Sequence, residues 1–367
     1  MVKTLTSSAI ASAEAGLLRV PRSRPVRSSY ASYDALEVVT VRIRTVDGLE
    51  GLGYTNIIGT GGAAIRSFAQ TEYLPRLVDR DSQDIKALWE ELSFHAMSRG
   101  RKGVAMYALS AVDIALWDLL AQRAEMPLHH LLGSARDRVP VYGDGCWLSL
   151  SLDELVAEAE RYAELGCMGV KVKIGGRPQD DVARVRAVRD AVGPDMAVMV
   201  DANSRYDPLT AIRVARLLEP FDLTWFEEPV LADSPSDYAR VAKAVNIPIA
   251  GGENEYARYG FRELLERGAV DILQPDVHRV GGVTEFLRIA SMAEAWSIPV
   301  YPHTSYELHA QLVAAIPGAR WCEYYDWFPG DFFVEDFSIV DGHVRVPSRP
   351  GIASAFADGV HTRFAVD

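Results

Sequence analysis

Cysteine is scarce in this 367-residue chain: three thiols, at positions 146, 167 and 322, make no disulfide framework and fit no zinc-binding spacing. A reducing compartment is the natural expectation, and with it a cytoplasmic location. Long apolar runs are missing as well. No uninterrupted stretch approaches the roughly 18 residues of a membrane span, and the Ser- and Ala-rich start, broken by Glu14, reads as no targeting signal. Positive charge is in deficit: 38 Lys and Arg stand against 50 Asp and Glu, a net charge of −12. The far field therefore opposes nucleic acid and anionic membrane as partners, and an acidic small molecule needs a locally cationic pocket. Also absent is a Gly-x-Gly-x-x-Gly turn after an early strand, which argues against a nucleotide-binding doubly wound sheet.

What is present is apolar bulk, 49% of the residues, enough to bury a sizeable core. The first third reads as α+β. Leu36 to Arg44 is rich in Val and Ile, Asp47-Gly48 signals a hairpin, and Gly51 to Tyr54 begins its return. Apolar spacings of three and four predict helices over Ile85 to Phe94 and Val104 to Ala121, and Gly133 with Pro140 marks a boundary near residue 135. Beyond it, eight short apolar runs alternate with helical stretches: 141–147, 170–174, 197–202, 224–228, 248–252, 271–274, 299–301 and 320–324. That recurrence predicts a parallel β/α barrel over 136–330.

In such a barrel the active site lies where the strands end. Polar residues close the runs in register: Lys171 and Lys173 in VKVKIGG, Asp201 in MVDAN, Glu227 in WFEEP, Glu253 in AGGEN, Asp276 in LQPD, His303 in YPHTS and Glu323 in WCEYY. A single acidic residue there is ordinarily a loop residue or a helix cap; seven in register point to one mouth. Asp201, Glu227 and Glu253 fall on successive strands, roughly 5 Å apart in a closed barrel, and three carboxylates that close need a cation. Hard oxygen ligands without Cys or His favour Mg²⁺, with Mn²⁺ as a substitute. Glu228 alternates to the other strand face and is expected to support rather than ligate. Lys171 and Lys173 share a strand face, where two ammonium groups depress each other's pKa and bring one toward use as a base. Asp276 and His303 end adjacent strands, so the carboxylate orients the imidazole. Acid/base groups on two sides of one carbon, with a divalent cation at its carboxylate, define chemistry through an enolate.

These motifs resemble the enolase superfamily, specifically its mandelate racemase subgroup, over essentially the whole chain. The resemblance implies a modified (β/α)7β barrel, an α+β capping domain over 1–135, and a C-terminal segment, 331–367, that returns to the cap. It implies Mg²⁺ on Asp201, Glu227 and Glu253, Lys173 as one acid/base catalyst and His303 with Asp276 as the other. Lys171 would tune Lys173 or meet the substrate carboxylate, Glu323 would hydrogen-bond the enolate oxygen, and Asn203 would contact substrate. It further implies abstraction of the proton α to a carboxylate. Loss of a β-hydroxyl then gives a 2-keto-3-deoxy acid, and reprotonation on the other face gives a racemase or epimerase; a barrel that only binds ligand is the alternative of another class. Acid-sugar dehydratases are the larger share of the subgroup, which favours dehydration. A homo-oligomer is expected on the same ground.

Specificity in that family comes largely from cap loops. Here GLLRVPRSRPVRSSY carries Arg19, Arg22, Arg24 and Arg27, read as a loop whose arginines meet the distal carboxylate of a dicarboxylic sugar acid such as galactarate, talarate or glucarate. Arg99, Arg101 and Lys102 read as a solvated loop or subunit contact. His95, His129, His130 and the three cysteines read as packing or surface residues.

Overall fold

The computed structural model describes residues 7–352 and 354–366. Three antiparallel strands open the chain, β1 (Ile10–Arg27), β2 (Ser32–Thr45) and β3 (Glu50–Ile58), in that order across one sheet. The Asp47-Gly48 turn joins β2 to β3, with Gly48 at φ 87°. Against this sheet lies the helix Val104–Arg123, whose residues 105–116 are all buried. The approach is close enough to demand glycine: a Cβ on Gly53 would stand 2.0 Å from the Ala111 carbonyl, and one on Gly51 2.4 Å from that of Ala115. By length and composition this helix could cross a membrane, but it is a core helix, covered on nearly all sides by the cap sheet and its neighbours.

One expectation fails here. Arg19, Arg22 and Arg24 do not lie on a loop; they belong to β1, which pairs with β2 from Ile10 to Arg27. Pro21 and Pro25 suggest a break, yet the ladder only shifts register between Pro21 and Val26, and buried Leu17, Leu18, Val20 and Val26 carry the strand through. The true loop is the hairpin tip at 28–31, where Ser29 Oγ donates to the Asn203 carbonyl at 3.1 Å across the barrel mouth.

The second sheet closes on itself. Strands β4 (Arg138–Cys146), β5 (Gly169–Lys173), β6 (Ala197–Asp201), β7 (Phe226–Glu227), β8 (Ile249–Gly251) and β9 (Ile272–Leu273) run parallel in sequence order. Val300 continues the circuit by bridges to Leu273 and Ala319, and β10 (Cys322–Tyr324) pairs in parallel with β4. All eight predicted runs are thus in the barrel wall, in order. Its inside is filled by Tyr142, Met199, Trp225, Ala250, Ile272 and Tyr301. The helices between strands carry ordinary punctuation; Ser151, for example, forms a capping box with Glu154 at the start of Leu152–Glu164. After the barrel, β11 (His343–Arg345) pairs with the lower part of β4. The chain then returns to the cap: Ile352 N–H donates to Asp118 at 2.8 Å, Ala365 bridges Leu18, and Val366 N–H reaches the Leu17 carbonyl at 3.0 Å.

Candidate active site

Parallel pairing sets the polar strand ends side by side. Lys173 is the lateral partner of Asp201, and Asp201 of Glu227. Glu253 follows the end of β8, and the three carboxylates offer oxygens that all lie within 4.8 Å of one another, each residue buried. These three fit a divalent cation: their donors are all hard oxygens, and Glu253 Oε2 is buried with no hydrogen-bond partner. The remaining oxygens are held in place. Asn203 donates twice to Asp201, from its backbone N–H at 2.7 Å and from Nδ2 at 2.8 Å. Trp225 Nε1 and Gln274 Nε2 both donate to Glu227 Oε2, at 3.0 and 2.6 Å. Glu228 does not alternate cleanly away, because its φ of 40° turns the chain after β7. It is buried beside the triad, accepting from Ser204 and Asn254, and burial together with Glu253 and Asp201 pushes its pKa well up.

Lys171 and Lys173 lie side by side within this acidic field. Lys173 Nζ is 2.6 Å from Asp201 and 3.0 Å from Asp144; Lys171 Nζ is 2.6 Å from Glu227, 3.2 Å from Asp144 and in contact with Glu323. The expectation of mutually depressed lysines is therefore corrected. Burial does push both pKa values down, but the carboxylates around each outweigh burial and the neighbouring ammonium and raise both. Trp147 and Tyr325 present their rings to Lys173, with centroids 5.4 and 6.0 Å from Nζ.

Opposite the lysines stands the imidazole. His303 Nδ1 donates to Asp276 Oδ2 at 3.0 Å, leaving Nε2 facing Glu253 Oε2 at 3.5 Å. Burial opposes the charged forms of both partners, yet the hydrogen bond and Arg279 hold Asp276 well below the usual carboxylate range. His303 is raised, because Glu253 and Asp276 outweigh its burial. Glu323 sits between the two sides, touching Lys171 and accepting from Thr304 N–H. Burial, with Asp144 and Glu227, pushes it up to about 8 against the pull of Lys171 and His303.

The arginines separate. Arg19 pairs with Asp34 and Glu37 within the cap sheet, and Arg24 with Glu154 at the surface. Arg22 stacks on Trp327 at 4.3 Å, and it and Arg24 line a cavity of about 300 Å³ that Asp144, Trp147 and Tyr325, the neighbours of Lys173, border as well. Two residues were missed. Asp144 belongs to the first barrel strand, one β/α unit before Lys173, but stands two residues short of that strand's end at Cys146, so no strand-end position signals it. Arg279, on the helix Val277–Val280, contacts Glu253 at 3.4 Å and Asp276 at 3.3 Å, and no spacing signals it. His95 pairs with Glu72, His129 with Gln311, and Cys146, Cys167 and Cys322 are buried free thiols.

Residues 12–133 match the N-terminal domain model of mandelate racemase / muconate lactonizing enzyme, and residues 154–358 match the enolase C-terminal domain-like model. A 3,6-anhydro-alpha-L-galactonate cycloisomerase of Streptomyces coelicolor is 37% identical over 338 residues, 91% of this chain and 93% of that protein. An L-talarate/galactarate dehydratase of Salmonella typhimurium is 36% identical over 324 residues, 88% of this chain and 81% of the relative. Among solved structures, a racemase from Streptomyces coelicolor with bound magnesium superposes with a TM-score of 0.94 at 35% identity, covering 97% of this chain and 100% of the other.

Proposed function

The chain belongs to the mandelate racemase and muconate lactonizing enzyme family of the enolase superfamily, and we propose that within it the protein is a Mg²⁺-dependent dehydratase of a hydroxylated sugar acid, aldonic or aldaric. The observation that carries this reading is the placement of two acid/base groups at opposite ends of the carboxylate triad, Lys173 against Asp201 and His303 against Glu253. Asp201, Glu227 and Glu253 would hold the Mg²⁺, which when bound supplies positive charge to the substrate carboxylate. Lys173 or His303 takes the α-proton, according to the face the substrate presents. Lys171 and a protonated Glu323 hydrogen-bond the oxygen on which charge develops. His303, oriented by Asp276, gives a proton to the departing β-hydroxyl, and the resulting enol becomes a 2-keto-3-deoxy acid. Asn203, which fixes Asp201, also faces the substrate, and Arg22 serves the distal carboxylate of an aldaric acid such as galactarate, talarate or glucarate.

A second reading has the cycloisomerase relative in its favour. Where the β-oxygen belongs to a ring ether instead of a free hydroxyl, the same elimination breaks the ring C–O bond and releases no water. The oxygen stays on the molecule and takes the proton, so an anhydro-sugar acid would be isomerised by identical groups. Incubation with aldonic, aldaric and anhydro-sugar acids plus Mg²⁺ separates the readings. A 2-keto-3-deoxy product formed from an open-chain acid supports the dehydratase, whereas inversion or ring opening alone overturns it in favour of an isomerase. Failure of every acid to exchange its α-proton in heavy water leaves a binding-only barrel.

A further inference from the structure

His303 is followed by two consecutive left-handed residues that are not glycine, Thr304 at φ 53° and Ser305 at φ 45°. The first is β-branched, and such a conformation persists only where the surroundings over-determine it. Four contacts do so. Thr304 N–H donates to Glu323, and the Thr304 carbonyl accepts from His309 Nδ1 at 2.7 Å. Ser305 Oγ lies 2.9 Å from His278 Nε2 and 2.8 Å from Asn56 Nδ2.

Carbonyl partners fix every proton in this network. His278 Nδ1 faces the Tyr54 carbonyl at 3.0 Å and so carries a hydrogen, which leaves Nε2 bare when the ring is neutral. Burial keeps it neutral by lowering its pKa. Ser305 must then donate to His278 and accept from Asn56. His309 repeats the pattern: Nδ1 donates to Thr304, Nε2 accepts from Val277 N–H at 3.1 Å, and burial holds its pKa down to about 4. The His278 N–H also donates to Asp276 Oδ1 at 2.9 Å, so one residue touches both the strained turn and the carboxylate that orients His303.

We propose that Asn56, His278 and His309 are positioning residues: through the Ser305 hydroxyl and the Thr304 carbonyl they hold the 304–305 turn in the conformation that aims His303 at the carboxylate triad and the Thr304 N–H at Glu323. Asn56 comes from β3 of the cap, so the cap sets the geometry of the barrel's acid/base side and does more than cover it. The inference rests on the reading of His303 and Glu323 as reacting groups given under the proposed function.

Ser305→Gly and Asn56→Ala test it. Glycine adopts the left-handed conformation without strain, so Ser305→Gly keeps the fold while removing the hydroxyl. With ¹⁵N-histidine labelling, and His303 assigned by its loss in His303→Asn, both variants are expected to move the His303 ring-nitrogen signals; signals identical to wild type overturn the proposal. With an acid that wild type turns over, kcat is expected to fall about tenfold or more while KM stays within about twofold. Relief of backbone strain in Ser305→Gly offsets part of the cost of leaving His278 Nε2 and Asn56 Nδ2 without a partner, so its thermal midpoint should fall less than that of Asn56→Ala, and the double variant should be no worse than the weaker single. Unchanged kcat, or a loss that tracks the thermal midpoint, overturns the positioning role. Should wild type turn over no acid at all, the reaction assignment fails by itself, and the nitrogen signals still decide whether the turn is held from the cap.

Discussion

Asp144 and Lys173 share a buried contact, 3.0 Å between Oδ2 and Nζ. The same oxygen lies 3.2 Å from Lys171, so one carboxylate on the first barrel strand is counter-charge to both lysines of the second. Lys173 keeps Asp201 and Lys171 keeps Glu227 when Asp144 is neutralised, so Asp144→Asn is expected to destabilise the metal-free protein by less than the about 3–5 kcal/mol that breaking an isolated buried pair costs. It also weakens the field that raises Lys173. A lysine acting as base must be neutral, so a lowered pKa shifts the rising limb of the rate profile to lower pH. Denaturant midpoints and a pH–rate profile measure the two effects; an unmoved limb removes Asp144 from this role.

Mg²⁺ should stabilise the protein through the triad. At about a hundredfold excess over Kd, a ligand that binds only the folded state adds about 2.7 kcal/mol, seen as a rise in thermal midpoint. Glu253→Gln, which removes the charge of the carboxylate whose Oε2 lacks a hydrogen bond, is expected to abolish most of that rise and of the turnover. Equal Mg²⁺-dependent shifts in wild type and variant would place the ion elsewhere.

Glu323 must carry a proton to donate to the developing oxyanion, and its pKa of about 8 keeps it protonated near neutrality. Activity is expected to fall as pH rises through about 8. Glu323→Gln keeps a donor that does not ionise, so it should flatten that limb while costing some rate, which a profile from pH 6 to 10 would reveal.

Asp113, buried under Thr284, accepts from its N–H at 2.8 Å and its hydroxyl at 2.6 Å, yet burial raises its pKa to about 7. The folded form therefore holds its proton more tightly than the unfolded chain. The stability from that proton is complete below about pH 4 and is lost as pH climbs to about 7. Asp113→Asn should remove this slope, worth roughly 2–4 kcal/mol across the window. Thermal midpoints at pH 4 to 8 give the comparison, and parallel curves for the two proteins would contradict it.

Arg22→Ala is expected to raise KM for an aldaric acid about tenfold and to leave KM for the matching aldonic acid nearly unchanged, because only the former brings a second carboxylate. Arg24→Ala, whose guanidinium is bound to Glu154 at 2.8 Å, should discriminate between neither. Equal losses on both acids would mean that Arg22 only props Trp327.

The barrel was legible because the second to the eighth strands each end in one chemically distinctive residue at a recurring interval, and parallel pairing turns that interval into lateral contact. Asp144 escaped because its strand runs on through Cys146, so a carboxylate in mid-run does not read as an end. The first strand escaped because Pro21 and Pro25 look like breaks, and only the partner strand shows that the ladder absorbs them. The lysine pKa values were misjudged for a related reason: spacing along one strand reveals the repelling neighbour but not the carboxylates on Asp144, Glu227 and Glu323 that outnumber it. Asn56 carries no local signal at all, since its meaning lies in a serine on the far side of the domain boundary.

The seam between β10 and β4 has a consequence for synthesis. Asp201, Glu227 and Glu253 emerge from the ribosome well before His303 and Glu323, and the last strand must find the first to seal the wall. A chain halted before Trp321 carries all three carboxylates of the triad and both lysines, yet lacks Glu323 and the closing strand. Such non-local pairing is a slow event. Competence arrives in one late step, when the two ends of the barrel sequence meet, so an unfinished chain has the triad's ligands in hand before it has chemistry.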